Sequence, residues 1–401
     1  MAGTFGILVF VVLMLFAIFF HELGHFLTAR WSGIKSSKFF IGFGPTLWSF
    51  RRGPLETVTV EEGGVVKTVT RPETEYGVKL LPLGGFVKIV GMSPFEEIPA
   101  SDEPRSFDAA PAWKRAIVLA AGSATHFITA FIVLVIIFGV VGLPDFDRPT
   151  REISAVSTEI EGQRAPAAVA GLEAGDVIHA VDGRNVSTFD EARSMIREKD
   201  GDPVKLEIVR NGATRTVTLA PILIEEEGGE RIPVIGIYPQ YAIRREGPIS
   251  AVASAGTWIK IMVVGGTDPF SDQHQPGVFQ ILPQAFSPKA ILSDGEAGDA
   301  QRPISIVGAA RIAGGIAAQG QVAVFLMLFV TINIFIGIFN LLPLPPLDGG
   351  HLLVLGLEKI RRKKINPQAV LPVAAVVMSL LVVLGVYLIF KDIVEPPQIG
   401  P

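Results

Sequence analysis

Thr4-Phe5-Gly6-Ile7-Leu8-Val9-Phe10-Val11-Val12-Leu13-Met14-Leu15-Phe16-Ala17-Ile18-Phe19-Phe20-His21-Glu22-Leu23-Gly24-His25 is an uncharged apolar run that ends in an HExxH pattern. Its length fits a transmembrane helix, which needs about 20 apolar residues. Residues four apart on a helix share a face, so both imidazoles can reach one ion. Glu22 then lies beside that ion, placed to take a proton from bound water. His and Glu at the end of an apolar span are costly unless they face protein or water. The bland alternative is a pair of interfacial histidines at a helix end.

The rest of the chain extends the membrane reading. Of 401 residues, 49% are hydrophobic and only 18% charged, below the quarter charged of an average soluble domain. Apolar stretches recur at about 116–143, 322–342 and 370–390, giving four spans with the first at 4–29. No Lys or Arg precedes the first run and no small-residue cleavage site follows it, so a retained helix is expected rather than a signal peptide. The net charge of −4 suggests no nucleic-acid partner. The absence of cysteine excludes disulfides and thiolate chemistry.

Lys and Arg near the span ends predict the orientation. Arg30, Lys35, Lys38, Arg51 and Arg52 follow the first span, Lys114 and Arg115 precede the second, and Lys359 to Lys364 separate the third from the fourth. All belong on the cytoplasmic side, which puts both termini and residues 144–321 outside.

The loop at 31–113 carries alternating stretches and a Gly63-Gly64 turn, read as β-hairpins lying against the membrane face. An ordinary soluble β-loop is the alternative. Outside, residues 151–221 read as a compact α+β domain. Strands are expected at 177–181, 204–209 and 214–219, with a helix capped by Thr188 running to Lys199. Residues 222–321 are rich in Gly and Pro and read only as a linker.

A catalytic zinc usually takes three protein ligands and leaves one position open. The third donor is expected from Asn340-Leu341-Leu342-Pro343-Leu344-Pro345-Pro346-Leu347-Asp348-Gly349-Gly350. Its prolines must break the third helix, and Asp348 follows the break. Depth agrees: Thr4 to His21 rises roughly 26 Å and Val322 to Asn340 roughly 27 Å, from the same side.

HExxH in the first span with NxxPxPxLDG in the third resembles the site-2 protease family of intramembrane zinc metalloproteases (peptidase M50). Within it, the chain resembles the bacterial regulator-of-sigma-factor protease type with one PDZ domain. Residues 165–178 with Val181-Asp182-Gly183 look like a bacterial PDZ signature, a fold that binds extended peptides at a sheet edge. A β-rich spacer without a ligand is the alternative.

The resemblance implies a polytopic α-helical protein of the bacterial plasma membrane. Its parts would be 1–30, 114–143, 322–350 and 370–391 as spans, a membrane-associated β-region at 31–113, and an extracytoplasmic PDZ domain at 151–221 followed by the linker 222–321. It further implies Zn2+ held by His21, His25 and Asp348, with Glu22 as catalytic base and acid. Asn340 would help hold substrate backbone, and Gly84, Gly85 and Phe86 would lie on the edge strand that receives unwound substrate. Arg302-Pro303-Ile304-Ser305 resembles the family's approach to the third span, with Arg302 where glycine is commoner.

The implied substrates are single-span membrane proteins, such as anti-sigma factors or remnant signal peptides, first trimmed by a site-1-type protease. An inactive membrane adaptor working through its PDZ domain is the rival, as is a metal transporter or sensor. Neither needs Glu22 between the ligands.

One departure stands out. The family's Gly-Pro-x-x-Asn pattern in the second span reads Gly122-Ser123-Ala124-Thr125-His126 here. Three readings of His126 are open: a hydrogen-bond donor replacing the asparagine, a buried histidine between helices, or a fourth ligand. His351 reads as interfacial or as lying behind the ligands. His179 and His274 have no assigned role.

Overall fold

The computed structural model describes residues 2–62, 65–93, 96–225, 231–267, 274–287, 291 and 303–396. The Gly63-Gly64 turn and Arg302 lie outside the described residues. Two compact units emerge, one from Met1–Val141 with Gly247–Ile399 and one from Gly142–Glu246.

In the first unit, four helices are long and apolar enough to cross a membrane: Gly3–Trp31, Ala112–Val141, Val322–Asn340 and Gln368–Val394. The first is packed through small residues. A Cβ on Gly24 would sit 2.7 Å from the Ala121 carbonyl oxygen, so the first and second helices touch backbone to backbone there. Lipid tails are as apolar as leucine, and such close approach supplies the dispersion that holds membrane helices together. Phe10, Met14 and Ala17 continue the packing against Phe325 and Phe329 of the third helix.

Residues 222–321 do not form a simple linker. Residues 222–246 belong to the second unit. Beyond them, two shorter apolar helices join the membrane unit, Pro248–Val264 and Ile306–Ala318. At 13 residues the latter rises only about 20 Å, too short to span. It lies along the first helix, where a Cβ on Gly6 would fall 2.3 Å from that of Ala317. The same glycines that blur a hydrophobic period permit this contact, which is why the segment reads as unstructured in sequence.

The loop after the first helix folds into two long, bent strands, β1 (Ser36–Glu62) and β2 (Val65–Ile89). Each is folded on itself, so residues 39–41 pair on one side with 85–87 and on the other with 76–78. Segment 85–89 therefore forms an outer edge of the ribbon.

The second unit carries β3 (Leu143–Val156), β4 (Val177–Val181), β5 (Val204–Arg210), β6 (Ala213–Leu219) and β7 (Ile237–Arg244). They form one sheet in the order β7-β3-β4-β5-β6, with Arg184–Asn185 paired to β4. The helix Phe189–Arg197 opens on Thr188, whose hydroxyl accepts from the Glu191 N–H at 3.2 Å. The unit is wider than 151–221, because β3 begins at Leu143 and pairs with β7, which lies beyond 221. Its core joins Ile178, Leu206 and Ile208 from the sheet to Phe189 and Ile196 from the helix.

Within residues 165–178, Asp176 ties the turn before β4 to Arg210 of β5. Asp176 is fully buried, and its carboxylate accepts from Arg210 Nε at 2.6 Å, Arg210 Nη2 at 2.8 Å and the Glu173 N–H at 2.9 Å. Burial pushes its pKa up, but the Arg210 guanidinium and the Glu173 N–H outweigh that and hold it below the ordinary carboxylate value.

Candidate metal centre

His21 and His25 stand one turn apart on the first helix, and Asp348 begins a separate helix, Asp348–Arg361. The third apolar helix stops at Asn340, so the expected element 322–350 is two helices with a break between them. The glycine pair makes the break compact. A Cβ on Gly349 would lie 2.1 Å from the Leu341 carbonyl oxygen, and one on Gly350 would lie 2.3 Å from Pro345 N. Only glycine allows the new helix to start this close to the end of the old one.

The break delivers Asp348 to the histidines. His25 Nε2 lies 3.2 Å from His21 Nε2 and 3.4 Å from Asp348 Oδ2, and His21 Nε2 lies 3.6 Å from that same oxygen. Donor atoms about 2.0–2.1 Å from a tetrahedral ion stand about 3.3 Å apart, so this triangle has the dimensions of one zinc face. Asp348 Oδ2 is buried with no hydrogen-bond donor, as is His21 Nδ1 with no partner. An unpaired buried oxygen costs about 1–3 kcal/mol, more if charged, and a cation between the three donors removes that cost. Among the described residues, no other group of His, Asp or Glu meets the same test.

The surroundings aim the donors. His25 Nδ1 donates to the Val118 carbonyl at 2.7 Å, which leaves Nε2 to face the ion. Gly122 of the second helix faces both rings. A Cβ there would lie 2.3 Å from His25 Nε2 and 2.6 Å from His21 Cε1. Of the departing motif, Gly122 is thus the residue the centre requires.

His126 is not one of the three donors. It is buried between the second and third helices, and its Nδ1 donates to Asn333 Oδ1 at 3.0 Å. Asn333, itself fully buried, donates its Nδ2 to the Phe329 carbonyl. Two of the three readings of His126 therefore merge, because it is both buried and a donor. Asn333 was missed in the sequence. Its signal is a lone amide inside an otherwise apolar span, which is expensive without a partner.

Glu22 projects from the same turn as the histidines but takes no place in the triangle. Its Oε2 accepts from the Val87 N–H on the outer edge of the ribbon at 3.0 Å. Along an antiparallel strand, both polar groups of one residue point the same way and alternate with the next. Val87 N–H points away from β1, so the main-chain groups of Gly85 share that outward side. A Cβ on Gly85 would lie 3.4 Å from Glu22 Cγ. The edge thus borders the proposed base directly.

The other expected residues divide. Gly84 is buried with φ +150, and a Cβ would fall 2.7 Å from the Phe43 ring. Phe86 stacks on Phe40 at 5.6 Å between centroids and packs the ribbon. Asn340 is half-buried at the end of the third helix, and its amide has no hydrogen bond among the described residues. His351 is half-buried and is not among the grouped donors. His179 and His274 are exposed, on β4 and in a two-residue strand.

Apolar helices that gather two imidazoles and a carboxylate, with a glutamate beside them and a sheet edge within reach, define a membrane-embedded metallohydrolase. The model of peptidase family M50 matches residues 9–69 and 53–384. The chain belongs to this family, the site-2 proteases.

The zinc metalloprotease Rip1 of Mycobacterium tuberculosis is 32% identical, covering 98% of each chain. Rip1 of Mycolicibacterium smegmatis is 30% identical over the same shares. Among solved structures, the PDZ domain of an SdrC-like protein from Listeria monocytogenes is 26% identical. It covers 23% of this chain and 87% of that one, with a TM-score of 0.19.

Proposed function

We propose that the chain hydrolyses peptide bonds of single-span membrane proteins within the bilayer of the bacterial plasma membrane, with zinc as its metal. The observation that carries this reading is the hydrogen bond from the edge-strand Val87 N–H to Glu22, one residue from His21. A proton acceptor beside a metal triad and a strand edge at the same point serve one need: cutting an extended backbone.

His21, His25 and Asp348 would hold the zinc, which when bound would supply an acidified water and a polarised carbonyl. Glu22 Oε, one residue from His21, is placed to accept a proton from the attacking water and return it to the leaving amine. A transmembrane helix pairs its own backbone, so the substrate must unwind before its carbonyl can be attacked. The outward main-chain groups of Gly85 and the Val87 carbonyl offer replacement hydrogen bonds that ignore side chains, while the Val87 N–H holds Glu22. The amide of Asn340 is a second candidate for holding the opened backbone.

In this reading the positive-inside charges put both termini and the 142–246 unit outside the cytoplasm. The substrates are anti-sigma factors or remnant signal peptides already shortened by another protease. The external unit, read as a PDZ domain, restricts entry of untrimmed chains.

The test is Glu22→Gln in the native host. Trimmed single-span fragments should accumulate while the purified variant keeps its zinc. Normal fragment turnover by that variant rejects the mechanism, and accumulation of only full-length proteins rejects the substrate class.

A further inference from the structure

A second polar feature of the membrane unit shares no residue with the candidate metal centre. Arg30, Phe50, Arg52, Gly53 and Tyr76 line a cavity of about 580 Å3. Two guanidiniums enter it and no carboxylate is among the lining residues. Arg30 donates to the Tyr76 hydroxyl at 3.1 Å and lies over the Phe26 ring, both neutral partners. Arg52 has no ion pair or hydrogen bond among the described residues.

The neighbouring residue shows that this is selective. Arg51 and Arg52 point to opposite faces of the strand because side chains alternate. Arg51 meets Glu75 at 3.1 Å on its face. Arg52 shares the other face with Phe50, whose ring stacks on Tyr76 at 5.3 Å. Arg51 is paired by Glu75, whereas Arg52 has no ion pair among the described residues and lines the cavity.

The location identifies the anion. Arg30 is in the last turn of the first span. Trp31 and Trp113 meet edge to face at 6.3 Å and are 69% and 55% exposed, as expected of an aromatic belt at headgroup level. Leu27 lies one turn before Arg30 on the same helix face and is 54% exposed, where an acyl chain would run.

We propose that this cavity binds the phosphate of an anionic phospholipid. The two guanidiniums and the Tyr76 hydroxyl grip the headgroup, and Leu27 borders the tail. A bound lipid would brace β1 against the end of the first helix, beside the strands that reach Glu22.

The test uses the full chain in nanodiscs of phosphatidylcholine with phosphatidylglycerol, released and weighed by native mass spectrometry. The wild type should retain phosphatidylglycerol over phosphatidylcholine. Arg52→Gln should weaken retention about fivefold, and Arg30→Gln with Arg52→Gln about 25-fold, at ~1 kcal/mol per basic side chain near an anionic surface. Arg51→Gln should change it less than about twofold, since that charge is already paired. Arg52→Lys should keep most of the retention, and zinc content reports folding in every variant. Equal retention by wild type and the double variant overturns the proposal, as does an equal loss in Arg51→Gln. Displacement by millimolar inorganic phosphate would reassign the cavity to a soluble anion and overturn the lipid assignment.

Discussion

Asp348 and Asp176 are both shielded carboxylates in strand- or helix-initiating turns, and they are treated oppositely. Asp176 is saturated by donors of its own chain: Arg210 twice and the Glu173 N–H. Asp348 keeps Oδ2 buried without a donor and faces two imidazole nitrogens instead. A carboxylate whose oxygens are all answered by the protein holds the fold. One left unanswered beside other ligand atoms is reserved for a cation. The lesson extends to Arg51 and Arg52, where the member with no ion pair among the described residues lines a cavity.

The hardest blow to this contrast comes from Asp348→Ala. Zinc affinity should fall by more than about 100-fold, beyond the range for losing a partner behind a ligand, and cleavage should vanish. Chelator competition measures the first and a cleavage assay the second. Unchanged affinity would make Asp348 another Asp176.

Gly122→Val sharpens the geometry without touching a donor. The added carbons enter space held by both imidazoles, so zinc affinity should drop about 10- to 100-fold while the membrane helices remain inserted. Full affinity would mean that the rings are free to move aside.

Val87→Pro tests the base separately from the metal. Proline removes the N–H that Glu22 accepts. Losing a hydrogen bond to a charged group costs about 1.5–3 kcal/mol, so turnover should fall about 10- to 100-fold at normal zinc content. A parallel loss of zinc would show that the substitution disrupts the ribbon instead.

Asp176→Ala should leave zinc affinity and the chemical step unaltered. Stability of the 142–246 unit should fall, because Arg210 and the Glu173 N–H lose the buried carboxylate that joins them. Hydrogen exchange at Ile178 and Ile208 reads this locally. The pH dependence has a definite sign. Asp176 has a folded pKa below its unfolded value near ~3.9, so its contribution is complete above that value. It is lost as pH falls through the lower, folded value. Coupled loss of zinc in Asp176→Ala would erase the distinction between the two carboxylates.

What the chain determines by itself is whatever depends on neighbours in sequence. Four uncharged runs specify four apolar helices, because helix formation and lipid compatibility are local properties. The four-residue spacing of His21 and His25 puts both on one face, and three prolines after Asn340 end the third helix. Alternation marked β4, β5 and β6 for the same reason. Tertiary structure decided what depends on approach across the chain. Gly122 fits the imidazoles only because Gly24 lets two helices touch. Val87 reaches Glu22 only because the ribbon folds back to expose an edge, and His126 finds Asn333 207 positions away. Helix periodicity carries no information on which faces meet. That is settled by close packing and by the cost of leaving buried polar atoms unpaired, and both act only once the whole chain has folded.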